Sequence, residues 1–381
     1  MGVPLLDVNA QNLPLESELR AAFERVLRSG QFIMGPDVPA FEVEVANFVG
    51  AKHAIGVSSG TDAILLALMA LGIGTGDEVL CPTFTFFATA GCVARAGAKP
   101  VFVDADPLTF NLDVTDAARK VTSRTKAIIP VHLFGQSADM DAVMKLAAEH
   151  KLAVIEDAAQ SLGASYKGKP VGTIGTFGIY SFFPSKNLGA LGDAGLLVSN
   201  DDRLAEQARL LRTHGAKPKY YHKFVGGNFR LDSMQAAFLR VKLPHYNGYT
   251  GRRKANAAYY TEKLGKLSGV AIASEADPRA KLILPVAHSD REHIWNQYTL
   301  RLPGAGRRDA LRKHLTDRGI GTEIYYPVPM HEQECFAYCD AKGSCPTATR
   351  LAQEVISIPI YPELAPAQRE EVVAQLRLFA S

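Results

Sequence analysis

AIGVSSGTDAILLALMAL, residues 54–71, is the stretch on which the fold turns. A short apolar run rich in β-forming residues (54–57) meets a Ser-Ser-Gly-Thr turn, and a helical apolar pattern (62–71) follows at once. The same rhythm continues outward. Strand-like runs lie at 78–81, 100–103, 127–131, 153–155, 178–182 and 195–198, with helical patterns at 85–95 and 139–150. Strand alternating with helix predicts an α/β fold whose sheet is mostly parallel, about seven strands wide and covered by helices on both faces. Such sheets bind ligands beyond the C-terminal ends of their strands, so residues just after the strands are the candidates for chemistry. From about residue 249 the pattern changes. A helix at 252–267, a strand at 298–302, a helix at 308–318 and a Pro-rich stretch at 325–330 predict a smaller C-terminal α+β domain. The division is placed at 1–248 and 249–381. The opening segment, an amphipathic helix at 15–28 and the loop 30–36, is expected to pack on the second domain or on a partner subunit.

Composition narrows the class. The chain has 381 residues, 47% hydrophobic and 21% charged, the balance of a globular protein with room for two cores. A formal charge of +3 gives no reason to expect nucleic acid or a membrane as partner. The longest apolar stretch, 64–73, is too short to span a bilayer. The first residues lack a secretory leader, and Leu6 stands where a myristoylation signal wants Ser or Thr. Five cysteines without a leader predict reduced thiols and a cytoplasmic location.

Four strand-end elements carry the chemistry. In Val57-Ser58-Ser59-Gly60-Thr61-Asp62, free N–H groups and the positive end of a helix dipole make an anion site, with the Thr61 hydroxyl beside it; equally, Ser59 or Thr61 is a plain N-cap. In Val154-Ile155-Glu156-Asp157-Ala158-Ala159-Gln160, a buried strand delivers Asp157 to the sheet edge, where a carboxylate can keep a pyridinium ring protonated; the bland reading is a capping Asp. In Ser181-Phe182-Phe183-Pro184-Ser185-Lys186, a Lys among apolar and small residues is poorly placed for solvent, and burial makes its amine nucleophilic. In Gly227-Asn228-Phe229-Arg230-Leu231-Asp232, Asn228 and Arg230 offer donors to an anion, while Asp232 reads as a helix cap.

Together, in this order and spacing, these elements resemble the DegT/DnrJ/EryC1/StrS family of sugar aminotransferases, which has the aspartate-aminotransferase architecture, fold type I. Gly30-Gln31-Phe32-Ile33-Met34-Gly35-Pro36, Pro82-Thr83-Phe84-Thr85-Phe86 and Ile358-Pro359-Ile360-Tyr361-Pro362 extend the resemblance to nearly the whole chain. It implies pyridoxal 5'-phosphate as cofactor, with pyridoxamine 5'-phosphate as intermediate, and no metal. It implies Lys186 as the Schiff-base lysine and proton carrier, Asp157 at the pyridine nitrogen, and Gln160 at the ring hydroxyl edge. Phe86 would stack on the ring. Gly60, Thr61 and Ser181 would hold the phosphate, and Asn228 of the partner subunit would join them in a homodimer. The implied reaction is ping-pong transamination of a nucleotide-linked keto sugar, with L-glutamate as amino donor.

Substrate contacts are less sharply marked. Arg230 is the candidate for the glutamate carboxylate, because a planar guanidinium matches it bidentately. The basic, aromatic stretch 217–223, with Lys219 and His222, can clasp a nucleotide diphosphate or be a solvated loop. Tyr-Tyr-His followed by Gly-Gly-Asn resembles family members that aminate C3 more than those acting at C4. Tyr325 and Tyr326 stand where the family has a His-Tyr pair, so any role of that histidine is open. His331, Cys335, Cys339 and Cys345 match no standard zinc spacing. Alternatives are a cofactor-binding regulator of the same fold, a 3-amino-5-hydroxybenzoate synthase-like enzyme and a sugar dehydratase. Dehydratase relatives carry His in place of the lysine, which Lys186 argues against. The turn at 58–61 lacks the GxGxxG of a dinucleotide-binding dehydrogenase.

Overall fold

The computed structural model describes residues 2–272 and 280–380, and in it the run at 54–71 is strand His53–Val57 (β1) followed by helix Gly60–Ala70. Six more strands complete the large sheet: Glu78–Pro82 (β2), Lys99–Val103 (β3), Thr125–Ile128 (β4), Ala153–Asp157 (β5), Phe177–Ser181 (β6) and Gly195–Ser199 (β7). Their order is β1-β7-β6-β5-β4-β2-β3. The pairs β2–β3, β2–β4, β4–β5 and β5–β6 are parallel, whereas β7 runs antiparallel to both β1 and β6. Six strands therefore point the same way.

Both faces are covered, as near-continuous apolar strands require. On one face, Ile55, Val57, Ile155 and Ile179 meet Ala63 and Leu66 of helix Gly60–Ala70, Cys92 and Val93 of helix Ala88–Arg95, and Leu204 and Ala208 of helix Asp202–Leu211. On the other, Ala54, Tyr180 and Leu196 meet Phe41 and Val45 of helix Asp37–Val49 and Leu239 of helix Ser233–Lys242. Leu80, Ile128 and Val154 meet helix Met140–His150 beside them. Each buried Ile or Leu contributes roughly 1.5–3 kcal/mol, which is what clamps the strand ends in place.

A second sheet, Val270–Ile272 (β8), Leu282–Leu284 (β9), Tyr298–Arg301 (β10) and Val355–Ile358 (β11), has the order β8-β9-β10-β11. Helices Tyr246–Leu264, Arg307–Thr316 and Pro366–Ala380 supply Tyr260, Leu311 and Val372 to its core. The long helix begins at Tyr246 rather than near 252, because Gly248 and Gly251 dilute the apolar pattern of its first turns. It serves both cores: Tyr246 joins that of the large sheet, and Ala257, Tyr260 and Leu264 join that of the small one.

Helix Glu16–Ser29 forms as read, but its apolar face does not lie on the second sheet. Leu19, Ala22 and Val26 pack on Ala237 and Phe238 of helix Ser233–Lys242. The extreme start does reach the second unit: the Val3 amide donates to the Gly319 carbonyl at 2.8 Å. Among the described residues no helix is long and apolar enough to cross a membrane.

Candidate active site

Three strand ends converge. β5 delivers Asp157, β6 ends at Ser181 and leads into the loop carrying Lys186, and β1 leads into Ser58–Gly60. Asp157 is buried; its Oδ2 accepts from the Thr89 hydroxyl at 2.9 Å and its Oδ1 from the Ala159 amide at 3.2 Å. Burial pushes its carboxyl above the ordinary range, and those two donors and the Lys186 charge oppose the shift. The preceding carboxylate, Glu156, is tied off elsewhere. It accepts from the amides of Gly172, Ile174 and Gly175 at 2.8, 2.7 and 2.6 Å, and pairs with His132 Nε2 at 3.0 Å. The Ala138 amide donates to His132 Nδ1 at 3.0 Å, so the ring proton sits on Nε2 and points at Glu156. Alternation along β5 thus separates a structural carboxylate from one free to face a ligand.

Desolvation brings the Lys186 amine down to about 8, with Asp157 opposing through its charge. An amine titrating there is partly neutral near physiological pH, as a nucleophile toward a carbonyl must be.

The turn after β1 is a crowded cradle. A Cβ at Gly60 would lie 2.9 Å from Ser181 Cβ, and one at Gly195 would lie 2.3 Å from the Ser59 carbonyl carbon, so both positions need glycine. Ser59 is the N-cap of helix Gly60–Ala70, its Oγ accepting from the Asp62 amide at 3.0 Å. The Thr61 hydroxyl is therefore not spent on the cap. Residues 228–230 lie alongside: the Ser58 amide donates to the Phe229 carbonyl at 3.0 Å, and Arg230 bridges to Val57. Arg230 Nε is buried without a protein partner, a donor left for a ligand. Asn228 is exposed on the same segment.

Gln160 is held from both sides. Its Oε1 accepts from the Phe134 amide at 2.7 Å, and its Nε2 donates to the Tyr326 hydroxyl at 3.2 Å. Phe134 reaches it from a left-handed backbone conformation, φ 59°. Burial raises the pKa of Tyr326 and Tyr325 alike. The three phenylalanines of the 84–87 run separate clearly. Phe84 is buried against Phe110 and Tyr326, Phe87 stacks on Phe336, and Phe86 is 58% exposed.

Lys219 and His222 sit on the exposed loop after helix Asp202–Leu211. There Lys219 lies over the Tyr220 ring and His222 Nδ1 is 2.8 Å from the His214 carbonyl. Among the described residues, neither side chain hydrogen-bonds to the strand-end cluster. Among the described residues no group of three or more His, Cys, Asp or Glu is placed to hold a metal ion. Cys345 is buried, Cys335 is exposed, and His331 pairs with Thr83 at 2.7 Å.

Two side chains that serve this cluster have no sequence signal: Thr89, which holds Asp157, and Asn187, whose Nδ2 donates to the Ile294 carbonyl at 3.2 Å.

A carboxylate able to face a ring nitrogen, a lysine of lowered pKa, a glycine cradle at a helix start and a guanidinium with a buried, unpartnered Nε fit pyridoxal phosphate. On a type I fold they define an enzyme that uses it. The model of the DegT/DnrJ/EryC1/StrS aminotransferase family matches residues 14–377, and the chain belongs to that family. It is 49% identical to a pleiotropic regulatory protein of Geobacillus stearothermophilus, over 100% of this chain and 99% of that one. It is 44% identical to a UDP-N-acetyl-3-dehydro-alpha-D-glucosamine 3-aminotransferase of Acidithiobacillus ferrooxidans, over 98% and 96%. Among solved structures, DesV of Streptomyces venezuelae matches with a TM-score of 0.93 at 42% identity, covering 100% of this chain and 99% of that one. NtdA of Bacillus subtilis, with bound PMP, matches at 0.91 and 29%, covering 100% and 85%.

Proposed function

We propose that the chain moves the amino group of L-glutamate onto C3 of a nucleotide-linked 3-keto sugar, acting as a cytoplasmic homodimer. The observation that carries this reading is Lys186: a desolvated amine titrating at about 8, electrostatically coupled to the buried Asp157. When bound, pyridoxal phosphate supplies an electron sink for the carbon that gains or loses the amino group. Lys186 takes the proton from that carbon of glutamate and returns one to C3 of the sugar, a task suited to an amine poised near neutrality. With the cofactor bound, Asp157 would accept from the protonated ring nitrogen, Gln160 would face the ring hydroxyl, and Phe86 would cover one ring face. Gly60, Thr61 and Ser181 hold the phosphate with Asn228 of the partner subunit, and Arg230 pairs with the glutamate carboxylate. Tyr325 and Tyr326 line the sugar side, and Lys219 and His222 reach the diphosphate.

The exposed apolar side chains of Ile33, Phe183 and Val225 support burial against a second copy. We assign residues 1–248 to the cofactor-binding unit and 249–381 to the smaller one. Amination at C3 is supported by the named activity of the Acidithiobacillus relative.

The regulatory name of the Geobacillus relative favours a second reading, a cofactor-binding sensor. Both are tested by offering the enzyme L-glutamate with a nucleotide 3-keto hexose and, separately, its 4-keto isomer, with the amino sugar detected by mass spectrometry. The 3-keto isomer should be preferred in kcat/KM by about a hundredfold or more, since the carbon that gains the amino group must lie where the fixed Lys186 amine can deliver its proton. Preference for the 4-keto isomer overturns the position. Turnover of neither favours the sensor.

A further inference from the structure

Among the buried cations that the chemistry above leaves unused is a lysine. Lys242 ends helix Ser233–Lys242 and is fully buried. Its Nζ donates to the Gly189 carbonyl at 2.6 Å. Gly189 lies three residues after Lys186, in the loop that leaves β6. The rest of that loop closes on itself: the Lys186 amide donates to the Phe183 carbonyl at 2.8 Å and the Ala190 amide to the Phe182 carbonyl at 2.7 Å. A Cβ at Gly189 would lie 2.3 Å from the Pro184 carbonyl oxygen, so the two limbs touch there. The loop's outward anchors include Asn187 on the Ile294 carbonyl, Lys242 on Gly189, and the Leu191 amide donating to Gln235 Oε1 at 2.9 Å.

Placing an ammonium there is unfavourable. Burial holds Lys242 down to about 8, with only the more distant charge of Glu363 opposing. An apolar side chain of the same length would fill the space without that penalty. What it could not do is bind the Gly189 carbonyl.

We propose that Lys242 is a positioning residue for Lys186, fixing the loop through the Gly189 carbonyl so that the Lys186 amine stays in register with Asp157. The inference rests on the role given to Lys186 above.

The test compares the cofactor-loaded wild type with Lys242→Met, which keeps the stem and removes the donor. Tyr260→Phe is the control, because it loses a buried bond of 2.9 Å to the Pro359 carbonyl in the core of the smaller sheet. Two quantities are read: the pH midpoint of the visible absorbance, which reports the Lys186 nitrogen, and kcat and KM for the reaction with L-glutamate alone. Lys242→Met should shift the midpoint and lower kcat about tenfold or more with KM little changed, since a small misplacement of a reacting group is enough. Tyr260→Phe should match the wild type in both. If Lys242→Met does not fold, Lys242→Gln, whose shorter donor falls short of Gly189, is read by the same criteria. A folded variant with wild-type midpoint and kcat overturns the inference alone. A wild type that glutamate does not bleach removes the reading of Lys186, and this inference with it.

Discussion

Thr89→Val probes the link between burial and charge at Asp157. The valine fills the same space in a fully buried site, so the change removes one hydroxyl and little else. That hydroxyl donates to Asp157 Oδ2 at 2.9 Å. A hydrogen bond to a charged group contributes about 1.5–3 kcal/mol. Its loss falls on the ionised form of Asp157, the form needed opposite a protonated ring nitrogen. At 1.36 kcal/mol per tenfold, kcat should fall roughly ten- to a hundredfold. The sign with pH follows. Burial already raises the Asp157 pKa and Thr89 lowers it, so the variant's pKa is higher still. Activity that needs the carboxylate is present above that pKa and lost as pH falls through it, so the acid limb of the kcat profile should move to higher pH. The assay is kcat with L-glutamate across the acid range. Thr85→Val serves as control, because the Thr85 hydroxyl lies 3.5 Å from that of Thr89, and it is Thr89 that donates to Asp157. Superimposable profiles for Thr89→Val and wild type would refute the reasoning.

Gly60→Ala puts a Cβ 2.9 Å from Ser181 Cβ, and should weaken cofactor binding by about tenfold or more in an absorbance titration of the cofactor-free protein. Glu156→Gln leaves four donors facing an amide with one acceptor oxygen. At least two N–H groups then lose their partner at about 1–3 kcal/mol each, and the urea midpoint should fall accordingly. In the cofactor-free protein, Lys186 titrates at about 8 when folded and near the ordinary ~10.4 when unfolded. The unfolded chain binds more protons between those values, so this group adds stability as pH rises through that window. Lys186→Met lacks the effect. It should melt above the cofactor-free wild type below pH ~8, with the gap closing toward pH ~10, as followed by thermal scans.

The strands and the sheet edge that gathers the candidate site were legible because apolar runs and punctuation are local. The run at 153–155 continues to Asp157, so the strand itself presents the carboxylate. Lys186 was legible from its apolar neighbours. What periodicity reports is that a face is buried, not what covers it. Leu19, Ala22 and Val26 marked an inner face, yet nothing local said that Ala237 and Phe238 lie against it. β7 is as apolar as its neighbours, so its reversed direction left no trace in composition. Thr89 and Lys242 act on groups 68 and 53 residues away, a distance at which hydroxyls and amines carry no readable pattern. The loop with Lys219 and His222 had a suggestive composition. The chain alone leaves it exposed, which is how solvated basic loops also look.

The central claim is that Lys186 runs an amino transfer. It is tested most directly by the visible absorbance of the cofactor-loaded protein before and after L-glutamate, beside Lys186→Ala. The account expects the wild type to be yellow and to bleach while releasing about one 2-oxoglutarate per subunit, and the variant to lack the lysine-linked band. A wild-type band that glutamate leaves unchanged, with no 2-oxoglutarate released, would contradict it.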